Sequence, residues 1–179
     1  GYFYITRFEK GKDYPIYTRK KDSIEAPEEI LFDVNEMAKG HSYYNLRGIS
    51  VSPDNTMASF GVDTLSRRKY TIYIKNLVTG ELLQEVIPLT TGGATWANDN
   101  KTIFYSKKDE QTLRSNQIYK HILGEDATQD ENIFTEEDET YNAFVYKTKS
   151  KKYIVIGSSS TLSSEYQILD ADTPNQEFK

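Results

Sequence analysis

Cysteine is absent from this 179-residue chain, which excludes disulfides, thiolate metal sites and a disulfide-stapled secreted module. That absence leaves the compartment open: a cytoplasmic location is the expectation, with the periplasm as the alternative. Histidine is almost absent, with two residues, so an imidazole base could only be His41 or His121. No run approaches the roughly 18 consecutive apolar residues that a membrane-spanning helix needs, and no membrane association is expected. Basic residues are outnumbered, 22 Lys and Arg against 27 Asp and Glu, for a net charge of -5 and a pI near 5.2. Phosphate neutralisation requires a basic face, so a nucleic-acid partner is not expected. The local clusters Arg67-Arg68-Lys69 and Lys149 to Lys152 are short.

What the chain does contain is aromatic and polar. Hydrophobic residues make up 37% and charged residues 27%, while the aromatic share of 13% rests on 14 Tyr and 8 Phe. Aromatic and β-branched side chains suit a pleated, half-buried surface, so β-structure is expected throughout. The length suits one domain or part of a larger repeat array. The chain starts Gly1-Tyr2-Phe3-Tyr4-Ile5, without an initiator Met and inside an expected strand. That start reads as a piece excised from a longer protein.

Self-comparison exposes a repeat. Val51-Ser-Pro-Asp-Asn-Thr-Met-Ala-Ser-Phe60 is echoed by Trp96-Ala-Asn-Asp-Asn-Lys-Thr-Ile-Phe-Tyr105, a polar knot feeding an apolar run in each case. A second element recurs downstream, on Ile16, Ile72, Ile118 and Ile168. First strands are expected at Tyr2 to Phe8, Met57 to Val62, Thr102 to Ser106 and Tyr153 to Ser158, each forming a hairpin with the Ile-containing strand. Third strands are expected at 29–32, 82–87 and 132–134, and strands leading into the next knot at 46–51, 93–96 and 143–146. Four short antiparallel strands in a repeat of roughly 45 to 55 residues mark a β-propeller blade. Blade-like repeats are therefore expected around 1–45, 46–92, 93–142 and 143–179 of one all-β domain, about three to four blades of a partial seven-bladed ring. A β-sandwich of short strands is the alternative, but it gives no reason for the long-range repeat. The only helix expected lies in Val34 to Lys39, before Gly40.

Residues that could do chemistry are few. His121 occupies the position held by Arg19 and Lys75 in sister repeats and reads as a strand-end polar residue; His41 reads as a loop or cap residue. Gly157-Ser-Ser-Ser160 lacks the second Gly and the following helix of a nucleophile elbow. Glu136-Glu137-Asp138-Glu139 reads as a solvated acidic loop rather than a split acid–base pair or a calcium loop. Thr91-Gly92-Gly93 lacks the Lys-Ser/Thr of a phosphate loop and reads as a turn before a strand. Asn100-Lys101-Thr102 fits a glycosylation sequon by chance. No catalytic, cofactor-binding or metal-ligating residue is assigned in this chain, and no cofactor is expected.

In order along the whole chain, several segments carry a resemblance. They include Gly1-Tyr-Phe-Tyr-Ile-Thr-Arg7 with Tyr14-Pro-Ile-Tyr-Thr-Arg19, Glu29 to Ala38, Ser52-Pro-Asp-Asn55, Asp63 to Ile72 and Asn76-Leu-Val-Thr-Gly80. Trp96-Ala-Asn-Asp99, Leu113 to Gly124 and Leu169 to Pro174 complete the set. With these segments the sequence resembles the propeller of the prolyl oligopeptidase family, in its oligopeptidase B (protease II) branch. The resemblance implies a seven-bladed propeller joined to an α/β-hydrolase domain bearing a Ser, Asp, His triad. It further implies that the propeller caps the active site and admits only short peptides, and that the parent hydrolase, a serine protease, cleaves after Arg or Lys. A seven-bladed ring at roughly 50 residues per blade needs about 350 residues; this chain supplies about half, and the triad and specificity residues fall outside it. Arg67, Arg68 and the 136–139 acids are candidates for interdomain ion pairs, with solvation as the plainer reading. A fragment inert alone is thus one hypothesis, and a stand-alone propeller binding or interaction module the other. Open terminal blades would favour edge-to-edge self-association.

Overall fold

The computed structural model describes all 179 residues. Strand accounts for 52% of them and helix for 4%, in antiparallel sheets without a closed barrel. No helix is long and apolar enough to cross a membrane. The chain divides into two compact units, Gly1–Tyr44 and Asn45–Lys179.

The first unit is a three-stranded sheet ordered β1 (Tyr2–Arg7), β2 (Ile16–Lys21), β3 (Glu29–Asp33). The expected helix forms over Val34–Met37 only, a single turn α1, capped where the Asp33 carboxylate accepts from Asn35 N at 3.0 Å. The side chain of Arg19 is buried and grips Glu29 in two-pronged fashion (Nε to Oε2 2.7 Å, Nη2 to Oε1 3.0 Å) with its guanidinium 4.2 Å from the Tyr2 ring centroid.

The second unit holds a seven-stranded and a three-stranded sheet. Its strands are β4 (Asn45–Val51), β5 (Met57–Asp63), β6 (Tyr70–Asn76), β7 (Leu82–Trp96), β8 (Thr102–Lys108), β9 (Ser115–Ile122) and β10 (Glu131–Thr135). The separate sheet is β11 (Asn142–Lys147), β12 (Tyr153–Ser159) and β13 (Ser164–Asp170). Strands expected separately at 82–87 and 93–96 are one 15-residue strand. Its first part pairs with β6 and its last with β8, the register breaking between Thr90 and Ala94. One strand thus closes one blade and opens the next, which is why seven strands run in a single sheet. Thr91-Gly92-Gly93 is therefore no turn before a strand but a crossing inside β7.

That crossing explains the glycines. Gly92 has φ +94° and Gly48 φ +66°, a region that side chains with a Cβ rarely occupy. A Cβ added at Gly48 or at Gly61 would run into the backbone of Gly92. Close approach of three backbones, rather than flexibility, is what these positions require.

The knots form as their composition demands. Asp54 Oδ1 accepts from Ser52 Oγ (2.6 Å), Thr56 N (3.0 Å) and Thr56 Oγ1 (2.9 Å) while Asn55 takes φ +63°. Asp99 does likewise with Lys101 N (3.0 Å), Thr102 N (2.9 Å) and Thr102 Oγ1 (2.6 Å), Asn100 taking φ +62°. A third knot, unrecognised in sequence, spans Thr148 to Tyr153 with Lys151 at φ +60°. Neighbouring knots also bind each other: Asp54 N donates to Asn100 Oδ1 (2.9 Å) and Asn98 Nδ2 to Lys151 O (3.1 Å).

Counting from the knots corrects the Ile repeat. The residues four beyond Met57, Thr102 and Tyr153 are Gly61, Ser106 and Gly157, whose cross-strand partners are Ile72, Ile118 and Tyr166. In the last copy Tyr166, not Ile168, holds the Ile position. Ile72, Ile74, Ile87, Ala94, Trp96, Ile103 and Tyr105 form the core between the first two blades of this unit. Ala97, Phe104, Ile154, Leu169 and Ala171 form part of the next. On the last blade the matching face is uncovered, with Tyr166 56% and Ile168 46% exposed.

Candidate functional site: the inner-strand cleft and its cationic rim

Inner strands β4, β7 and β11 belong to neighbouring blades and share no continuous ladder; side chains lace them instead. Trp96 Nε1 donates to Ser50 O at 2.9 Å and Thr95 Oγ1 to Val145 O at 3.3 Å, while Ser115 Oγ on β9 donates to Ala143 O of β11 at 2.7 Å. Between them lies a cleft of about 460 Å³, walled by Gly48 to Ser50, by Thr91 and Gly93 to Thr95, by Ser106 and Ser115, and by Asn142 to Val145. Its lining carries no charged side chain. Hydroxyls, one amide and apolar residues, Ile49, Phe144 and Val145 among them, make up this wall.

Basic residues lie on β4, at the end of β8 and in the loop between β5 and β6. Arg47 precedes Gly48, and its guanidinium lies 5.3 Å from the Tyr70 ring centroid. Lys108 follows Ser106 by two residues and donates from Nζ to Arg68 O at 2.7 Å. Burial first, then the neighbouring Arg68 and Arg47 charges, hold the Lys108 amine below its ordinary pKa; Asp63 opposes this. Yet Asp63 spends its oxygens on backbone amides, Leu65 N at 2.8 Å and Arg68 N at 2.7 Å. Arg47 and Arg68 are both exposed to solvent. Sequence reading noticed only Arg67 and Arg68; the basic pair Lys107-Lys108 at the corresponding strand end was the signal for the rest.

A larger groove of about 1290 Å³ runs outside, between the knots, the start of β7 and residues Ile122 to Thr128. Asp54 and Asp99 are occupied by their own knots. Burial would raise the Asp54 and Asp99 carboxyls, but the hydroxyl and amide bonds described above outweigh it and hold both below the usual carboxylate range. Glu85 Oε1 accepts from Gly124 N at 2.7 Å.

The sequence candidates fall as follows. His121 lies at the end of β9, where a polar residue was expected, but it is fully buried: its Nδ1 sits 2.7 Å from Asp130 Oδ1, and Tyr105 Oη donates to Asp130 Oδ2 at 2.8 Å. Burial first, then the Asp130 charge, pushes the Tyr105 phenol far above its ordinary value and keeps it a donor. His121 and Arg19 thus play one part, each pairing with a carboxylate from the outer side of its own blade. His41 is exposed, its amide donating to Ala38 O at 3.0 Å beyond α1 and its ring 5.4 Å from that of Tyr44. Ser158 is buried and donates to Glu136, while Gly157 lies under the Phe144 ring. Glu136 is therefore not a freely solvated acid. Arg114 staples the acidic loop through the carbonyls of Glu136 (3.0 Å), Asp138 (2.9 Å) and Tyr141 (2.9 Å). Arg67 and Arg68 are exposed. Asn100 is held in its knot.

Known proteins match nearly the whole length of the chain. A family model described as "Prolyl oligopeptidase, N-terminal beta-propeller domain" matches residues 1–179. Dipeptidyl aminopeptidase BI of Pseudoxanthomonas mexicana is 38% identical over 189 residues, covering 97% of this chain and 26% of that protein. Protease 2 of Moraxella lacunata is 37% identical over 180 residues, with the same coverage of each. Among solved structures, oligopeptidase B from Leishmania major superposes with a TM-score of 0.92 at 30% identity, covering 99% of this chain and 26% of that one. The chain spans about a quarter of the length of the curated relatives it matches. Through that family-wide match the chain belongs to the prolyl oligopeptidase family of peptidases, and what it contains is the β-propeller.

Proposed function

We propose that the chain is the propeller part of a serine oligopeptidase of the oligopeptidase B type, in which it caps the active site and restricts entry to short peptides, and that the parent cleaves after Arg or Lys. The observation that carries this reading is the 37–38% identity to a protease and an aminopeptidase over 97% of the chain. The uncharged cleft between inner strands supports it, since a filter by size needs walls indifferent to side chains. The triad belongs to the part of the parent outside these residues, so the isolated chain is inactive. Incubation with an Arg-ended chromogenic peptide tests this: no turnover is expected from the chain alone, and turnover that survives repurification would refute it. Restored to the full-length parent, the same peptide is cleaved. A parent that instead releases only dipeptides from a free N-terminus would place it with the aminopeptidase relative. The uncovered face around Tyr146, Tyr166 and Ile168, each between 42% and 56% exposed, pairs isolated chains edge to edge. A monomeric mass by light scattering across a broad concentration range would refute that pairing.

A further inference from the structure

The outer part of β7 leaves one backbone edge open. Residues 82–87 pair with β6, and β8 joins the strand only from Thr90 onward, so no strand lies along their other side. Open edges are ordinarily blunted by lysine, proline or a covering segment. Leu82-Leu-Gln-Glu-Val-Ile87 contains neither lysine nor proline, and the groove of about 1290 Å³ runs along it, lined by every residue from Leu82 to Val86. Successive side chains of a strand point to opposite faces, so a groove that all five line opens onto the edge itself. Along that edge the groove is apolar: Leu82 and Val86 are 57% and 51% exposed, and Met57 and Leu123 extend the lining. Around it the groove is acidic. Asp54, Glu85, Asp99, Glu125 and Asp126 face a single cation, Lys101, and none of the six forms an ion pair. The hydroxyls and amides that bond Asp54, Asp99 and Asp126 are neutral donors, which fix the carboxylates without cancelling their charge.

These features together describe a partner. Open main-chain groups accept another extended chain, exposed leucine and valine accept apolar side chains, and carboxylates without counter-ions select cations. We propose that the outer groove docks an extended segment of a partner protein, in which Lys or Arg alternates with apolar residues and which adds as a strand to the open edge of β7 along Leu82–Val86. Alternation is what the two faces demand. Leu82 and Val86 lie on the exposed face of β7, whereas Glu85 lies on the other and is bonded to the turn that carries Glu125 and Asp126. A strand laid beside β7 therefore sends its apolar side chains toward Leu82 and Val86 and its basic ones toward that turn. This inference goes beyond the peptide filter and does not depend on it, since the outer groove and the inner-strand cleft share no lining residue.

The test is fluorescence anisotropy and amide hydrogen exchange of the 179-residue chain with a short acetylated peptide amide of alternating lysine and valine, with its counterpart of alternating glutamate and valine, and with spermine, a polycation that has no backbone to pair. The basic peptide is expected to bind about tenfold or more tightly than the acidic one and to slow exchange of the amides within Leu82–Val86. Glu125→Lys should weaken it by about tenfold, whereas Glu110→Lys, the same change of charge in the exposed loop between β8 and β9, leaves it unaltered. Equal binding of the two peptides, equal loss in the two variants, spermine binding as tightly as the basic peptide, binding that leaves the β7 amides exchanging as before, or no binding at all would each overturn the site. If Glu125→Lys disturbs the native Trp96 emission, the peptide comparison and the β7 exchange rates of the unaltered chain decide.

Discussion

Gly61→Ala isolates the close approach on which the blade crossing depends. Gly61 has no positive φ, so alanine costs nothing in backbone conformation there. Were the site open, the substitution would stabilise by about 0.4–1 kcal/mol through loss of unfolded-state freedom. A Cβ at Gly61, however, would lie 2.7 Å from Gly92 C, with Gly92 Cα and O closer still. Carbon atoms prefer roughly 3.5–4 Å, so β7 must retreat by about 1 Å where it passes from one blade to the next. Backbone has no rotamer in which to escape. Overpacking of this kind costs about 1–3 kcal/mol or somewhat more, so net destabilisation of about 2 kcal/mol is expected, or a Tm lower by about 4–8 °C at this chain size. Urea unfolding followed by the emission of Trp96, the only tryptophan, buried on the same strand, measures it. Two companions calibrate the result: at Gly80, φ +81° with open space around it, alanine should cost only about 1 kcal/mol. At Gly157 it meets the Phe144 ring, which can swing. A Gly61→Ala chain as stable as the parent, or more so, would refute the crossing geometry.

Tyr105→Phe removes the phenol donor from a buried carboxylate and should cost about 1.5–3 kcal/mol; a loss no greater in the parent than in an Asp130→Asn background would show that the two groups do not interact. Asp54 and Asp99 are held below the usual carboxylate range, so their stabilisation is complete above the unfolded value near pH ~3.9 and is lost as pH falls through the folded one. Asp99→Asn should therefore flatten the acid limb of a stability-against-pH curve, and an unchanged limb would count against the knot geometry. Arg114→Ala frees three carbonyls of the acidic loop and should speed proteolytic nicking within 136–141 without altering the far-UV spectrum; unchanged nicking rates would argue that the loop holds itself.

Local chemistry was legible from residues alone. The Asp and Asn of the two recognised knots satisfy amides within a few residues of themselves, so their turns, the strands they feed and the all-β repeat follow from sequence. The Thr148 to Tyr153 knot escaped notice because it closes through a Thr hydroxyl and puts Lys151, not Asn, at positive φ. The Ile register slipped by two in the last copy, since Tyr166 and Ile168 lie on one uncovered face where burial no longer distinguishes them. No local signal marks His121 as buried, because its partner Asp130 arrives from the turn at Ala127–Gln129 and Tyr105 from another strand.

What the sequence by itself determined is therefore periodic: strand after strand, knot after knot, each set by side chains acting on their own backbone. The tertiary structure decided what depends on distant backbones meeting. It made β7 one strand serving two blades, it required glycine at 48, 61 and 92 together, and it brought the Lys108 amine onto the Arg68 carbonyl. Contacts between residues tens of positions apart follow from how blades stack, and no local pattern encodes that.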